Sequence, residues 1–88
     1  MRVHVQGGSI KLLVPIPDPS QTIGWLKHDF KIRAQARGRD VTITELTCNG
    51  SLLDDDDKIC DVVDNLALLI AAGLGLILRE KNVLPELI

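Results

Sequence analysis

Aromatic side chains are nearly missing from this 88-residue chain, which has one Phe, one Trp and no Tyr. Binding of single-stranded nucleic acid relies on aromatic platforms for successive bases, so that class is excluded and the core must be aliphatic. Positive charge is not in excess either. Ten Lys and Arg stand against twelve Asp and Glu, for a formal net charge of -2, where a general nucleic-acid binder would be basic. Cysteine is scarce. Cys48 and Cys60 alone cannot form a disulfide framework and no signal-peptide pattern precedes them. They are expected to be reduced thiols of a cytoplasmic protein. The run Leu66 to Leu78, interrupted by Gly73 and Gly75, falls short of the about 20 apolar residues that span a bilayer. It reads as core strand.

Catalytic and metal-binding patterns are also lacking. His4 and His28 have no Ser or Cys partner at a recognisable spacing, and Cys48 and Cys60 do not make a C-x-x-C pair or complete a zinc set. The carboxylates of residues 54–57 lack the alternating ligands and central glycine of a calcium loop. The chain ends Pro85-Glu86-Leu87-Ile88, so conjugation through a terminal Gly-Gly is not expected. No cofactor, no metal and no enzymatic activity are expected.

What is present is a chain of one domain's length, 45% apolar. Met1, Val3 and Val5 alternate with Arg2, His4 and Gln6, the period of a half-buried strand. Gly7-Gly8 supplies positive φ for a tight turn, and Ile10, Leu12, Val14 and Ile16 resume the alternation, with Leu13 breaking the polar face. Pro15, Pro17 and Pro19 forbid an immediate helix. Thr22 is a candidate N-cap. Ile23, Leu26, Phe30 and Ala34 then recur at helical spacing up to Gly38, a natural stop. Trp25 sits beside this stripe and is expected to be half buried.

Val41 to Cys48 is rich in β-branched residues, alternates and reads as a strand, Asn49-Gly50 as a turn, and Leu52-Leu53 as a minor strand or the lead into the acidic loop. Ile59, Val62 and Val63 are expected to anchor a helical turn, and Leu68 to Ala72 to form a fully buried last strand whose parallel neighbour is the first. The sum is an α+β fold over residues 1–72, a mixed four- to five-stranded sheet with one helix packed across it, followed by a C-terminal extension, 73–88.

Charge is segregated along the chain. Asp54, Asp55, Asp56, Asp57, Asp61 and Asp64 crowd one segment with only Lys58 against them. Arg2, His4 and Lys11 project from the first hairpin, and Lys27 and Lys31 add charge from the helix. Each run could be simple solvated surface. Paired, they make an acidic and a basic docking face.

Four stretches carry a family resemblance: Met1-Arg2-Val3-His4-Val5, Val14-Pro15, Thr22-Ile23-Gly24-Trp25-Leu26, and the run Leu52 to Asp64 with its Cys60-Asp61-Val62. Together they resemble the ubiquitin-like β-grasp. Within it they are similar to the N-terminal domain shared by partitioning-defective polarity scaffolds and animal histidine ammonia-lyases. The scaffold likeness implies front-to-back self-association of an acidic loop (Asp54 to Asp57, with Asp61 and Asp64) with a basic face (Arg2, His4, Lys11, supported by Lys27 and Lys31). It also implies other scaffold proteins as partners and a place at the cell cortex or junctions. The lyase likeness implies an accessory module of an enzyme, and a heterotypic adaptor is a third possibility.

Overall fold

The structure, a computed structural model, describes residues 1–74; the remainder of the expected extension, 75–88, lies outside the described residues. β1 (Arg2–Gly7) and β2 (Ile10–Pro15) form an antiparallel hairpin with Gly7 opposite Ile10. Gly8 alone takes a positive φ there, 59°, so the turn needs one left-handed residue and Gly7 stays in the strand. Across the proline-rich link, Asp18 Oδ1 accepts from Ser20 N at 3.0 Å and from Ser20 Oγ at 2.6 Å, a side-chain turn that aims the chain at the helix. Those two hydrogen bonds, side chain first, hold the Asp18 carboxyl below its ordinary pKa.

α1 (Ile23–Gln35) starts at Thr22, whose Oγ1 accepts from Trp25 N at 3.1 Å. Its stripe of Ile23, Leu26, Phe30 and Ala34 is fully buried, with Trp25 half buried at the margin. Past its end Arg37 N and Arg39 N both return to Ala34 O at 2.9 Å, and Gly38 at φ 78° lets the chain reverse. β3 (Thr42–Cys48) and the two-residue β4 (Ser51–Leu52) are joined by Asn49 and Gly50 at φ 54° and 83°, the mirror-image turn that matches strand twist. α2 (Ile59–Val62) is one turn anchored by Ile59 and followed by buried Val63, while Val62 points outward.

β5 (Leu68–Leu74) runs up the middle, parallel to β1 and antiparallel to β3, so the strand order is β2-β1-β5-β3-β4. This is an α+β, ubiquitin-like β-grasp with its core between α1 and one face of the sheet. Val3, Val5, Val14, Leu46 and Leu69 meet Leu26 and Phe30 there, all fully buried. Each such side chain contributes roughly 1.5–3 kcal/mol by leaving water.

Two features depart from the sequence reading. β5 is not buried on both sides: Leu69 and Ala71 face the core, but Leu68 and Ile70 remain 42% and 47% exposed, and among the described residues no layer covers the second face. β3 does not keep strict alternation. Its register shifts between Ile43 and Glu45, so Ile43 and Leu46 both reach the core while Thr44 and Glu45 turn out. Gly73, opposite Ile43, permits this bulge: a Cβ there would lie 2.0 Å from Thr42 O.

Candidate docking surfaces

Asp54 to Asp57 occupy the loop between β4 and α2, and the fold places their backbone against the start of α1. Asp57 O accepts from Ile23 N at 2.9 Å and Asp55 O from Gly24 N at 3.0 Å. α1 has no acidic residue in its own first turn, so this loop supplies negative charge at the positive end of the helix dipole. The loop is also pinned from behind. Leu53 N donates to Leu46 O, Ile59 N to Gln21 O and Cys60 N to Pro19 O, with Ile59 fully buried beneath. Four adjacent like charges are thus held on a backbone tied at both ends.

Beside the loop lies an open groove of about 500 Å³ lined by Lys27, Thr44, Glu45, Leu52, Leu53 and the four aspartates. Leu52 is 59% exposed at its rim. Lys27 Nζ lies 2.5 Å from Asp55 Oδ1 and donates to Thr44 O at 3.2 Å. That ammonium belongs to the acidic surface, as its internal counter-ion.

The other basic residues fall elsewhere. Lys31 Nζ donates to Thr42 Oγ1 at 3.0 Å, so it too leans toward β3. Arg2, His4 and Lys11 stand on β1 and β2, where the register puts them on the face opposite α1 with Leu13. The fold therefore brings Arg2, His4 and Lys11 together and separates them from Lys27 and Lys31. Among the carboxylates, Asp61 is exposed on α2 and Asp64 in the loop beyond. Asp64 adjoins Asn65, whose Oδ1 accepts from Arg2 N at 2.9 Å, and neither Asp61 nor Asp64 lines the groove.

Sequence reasoning missed Glu45 and Leu52 as groove residues. A lone Glu in a β-branched strand carries no signal until the bulge turns it outward, and the pair Leu52-Leu53 does not by itself say which of the two faces the core. Among the described residues no cluster of His, Cys, Asp or Glu is arranged to hold a metal ion, and no helix is long and apolar enough to cross a membrane.

The fold is that of a ubiquitin-like domain, with basic residues toward one edge of its sheet and an acidic loop beyond the other. Residues 1–73 match the family described as "N-terminal of Par3 and HAL proteins", and the chain belongs to that family. No curated protein matches it significantly. Among solved structures, one titled "Crystal structure of ATBAG1 in complex with HSP70" is similar with a TM-score of 0.61 and 17% identity. The match covers 98% of this chain and 47% of that one, so the chain spans about half of that protein's length. The likeness is one of fold.

Proposed function

We propose that this is the self-associating N-terminal domain of a cytoplasmic polarity scaffold, pairing front to back through the acidic groove and the basic β1–β2 surface. The observation that carries this is placement. β2 and β4 are the two edges of one five-stranded sheet, about 19 Å apart at about 4.8 Å per strand gap. Arg2 and Lys11 stand toward one edge and Asp54 to Asp57 beyond the other, too far apart to satisfy each other within one copy. Joining unlike edges is a heterologous contact, which stays open-ended unless its rotation closes.

Each charged surface has an apolar neighbour, Leu13 at 46% exposure and Leu52 at 59%. The charges set orientation and encounter rate, while those side chains supply the desolvated contact. Membership in a family described by its Par3 members supports the reading; a place at the cell cortex or junctions is part of the proposal.

Sedimentation across concentration and salt tests it. Wild type should form species larger than a dimer that shrink as salt rises, because exposed pairs are screened over about 8–10 Å. Asp56→Lys/Asp57→Lys should stay small at every concentration, and so should Lys11→Glu, while an equimolar mixture of the two gives a complex no larger than a pair. A wild-type chain that remains monomeric at low salt overturns the proposal.

The same family description names histidine ammonia-lyases, which favours a second reading, an accessory module beside a lyase domain. The full-length gene product separates the two.

A further inference from the structure

The sheet carries α1 on one face, and pairing registers place the side chains of the other face in rows. Leu13, His4 and Leu68 stand side by side, and Lys11, Gln6, Ile70, Thr47 and Leu52 form the next row. Leu13, Leu68, Ile70 and Leu52 are 46%, 42%, 47% and 59% exposed. From β2 to β4 the face therefore changes from basic (Arg2, Lys11) through apolar (Leu68, Ile70) to acidic (Glu45 on β3).

β5, which carries the apolar centre, is third of five strands. The edges themselves are blunt, since β2 ends on Pro15 and β4 has two residues, both devices that discourage strand addition. The face is the feature left to dock.

We propose that this face also docks on the same face of a second copy, forming a closed pair whose two-fold axis lies over β5 and parallel to it. Rotation about that axis lays β5 on β5 and the β2 side of each copy over the β4 side of the other. Leu68 and Ile70 meet their equivalents, and Lys11 lies over Leu52 and beside Glu45 of the other copy. An axis across the strands would set like charge on like.

Six residues at about 3.3 Å and four strand gaps at about 4.8 Å give a footprint on the order of 400 Å² per copy. That is the size of a transient contact rather than an obligate dimer. The pair is closed by its two-fold axis and covers Lys11 of each copy, so it cannot grow and competes with open-ended assembly. It goes beyond the front-to-back reading and does not depend on it.

Cross-linking distinguishes the two, because equivalent residues meet in an isologous pair and not in a heterologous chain. Stacked sheets lie about 10 Å apart, beyond the reach of a disulfide, so a bis-maleimide of about that span is the probe. In a Cys48→Ser/Cys60→Ser background, Ile70→Cys should give a covalent dimer and nothing larger. Its yield should exceed by about tenfold, from the raised effective concentration, that of Ile32→Cys, a 49% exposed position on α1. Leu68→Cys is the second variant should the first fold poorly by circular dichroism. If neither exceeds the Ile32→Cys control, the closed pair is overturned. Loss of species larger than a dimer in Asp56→Lys/Asp57→Lys reports the front-to-back contact separately, because those aspartates lie outside the closed pair, so either reading can fail alone.

Discussion

Replacing Gly73 with Ala should cost far more than one methyl group suggests. The added Cβ would lie 2.0 Å from Thr42 O, 2.8 Å from Thr44 N and 2.9 Å from Ile43 Cα. Ordinary contact begins near 3.4 Å, so β3 would have to retreat by 3.4 − 2.0 = 1.4 Å. All three atoms are backbone, and no rotamer change relieves the overlap. Retreat opens the ladder at the bulge, losing about two hydrogen bonds at about 0.5–1.5 kcal/mol each. Overpacking adds about 1–3 kcal/mol. The sum, about 2–6 kcal/mol, compares with a total stability of about 4–13 kcal/mol for a chain this long.

Gly38 is the control. Its φ is 78° but a Cβ there meets nothing within 4 Å, so Gly38→Ala should cost only backbone strain, about 1–2 kcal/mol. Urea unfolding measures both, and with a slope of about 1 kcal/mol/M Gly73→Ala should lower the midpoint by 2 M or more. A Gly73→Ala midpoint equal to that of Gly38→Ala refutes the steric reasoning.

Lys27→Met keeps the aliphatic stem and removes the ammonium that joins Asp55 to Thr44 O. The Asp55 side is open to solvent, so the pair contributes no more than about 1 kcal/mol. The larger effect expected is faster hydrogen exchange at the amides of Asp54 to Asp57, and unchanged exchange there would remove Lys27 from the groove's supports. Ser20→Ala should raise the pKa of Asp18 toward its ordinary value of 3.8, because the hydroxyl is the largest cause of its depression. The depressed carboxyl stabilises the fold above pH 3.8, a contribution lost as pH falls through the lowered folded-state pKa. Carboxyl-carbon NMR titration of both chains reads the difference, and identical Asp18 curves would exclude the hydrogen-bond cause.

Much of the fold was legible because its signals are local. Alternation in β1 and β2, the Ile23/Leu26/Phe30 spacing, the Thr22 cap and the Asn49-Gly50 turn each depend on residues within a few positions of one another. They appear in the structure where the chain places them. The second left-handed glycine expected in the first turn was unnecessary, since Gly8 suffices. Val62 was expected inside because apolar type alone does not say which side of a single helical turn meets the core.

The candidate site was legible in composition and not in arrangement. Lys27 and Lys31 are helix residues by sequence, but which strand they lean on depends on how α1 crosses the sheet. That crossing sends Lys27 to Asp55 and Lys31 to Thr42, away from Arg2 and Lys11. Glu45 reached the groove only through the bulge opposite Gly73.

By itself, then, the sequence determined an aliphatic α+β domain, its turns and caps, and two charge runs of opposite sign, all properties written in short-range spacing. The tertiary structure decided that β5 lies at the centre of the sheet and that, among the described residues, one of its faces has no cover. It also decided that the acidic loop closes over the start of α1 with a lysine already inside it. These depend on contacts between residues 21 to 64 positions apart, where the geometry of sheet pairing and helix docking, and not side-chain type, selects the neighbour.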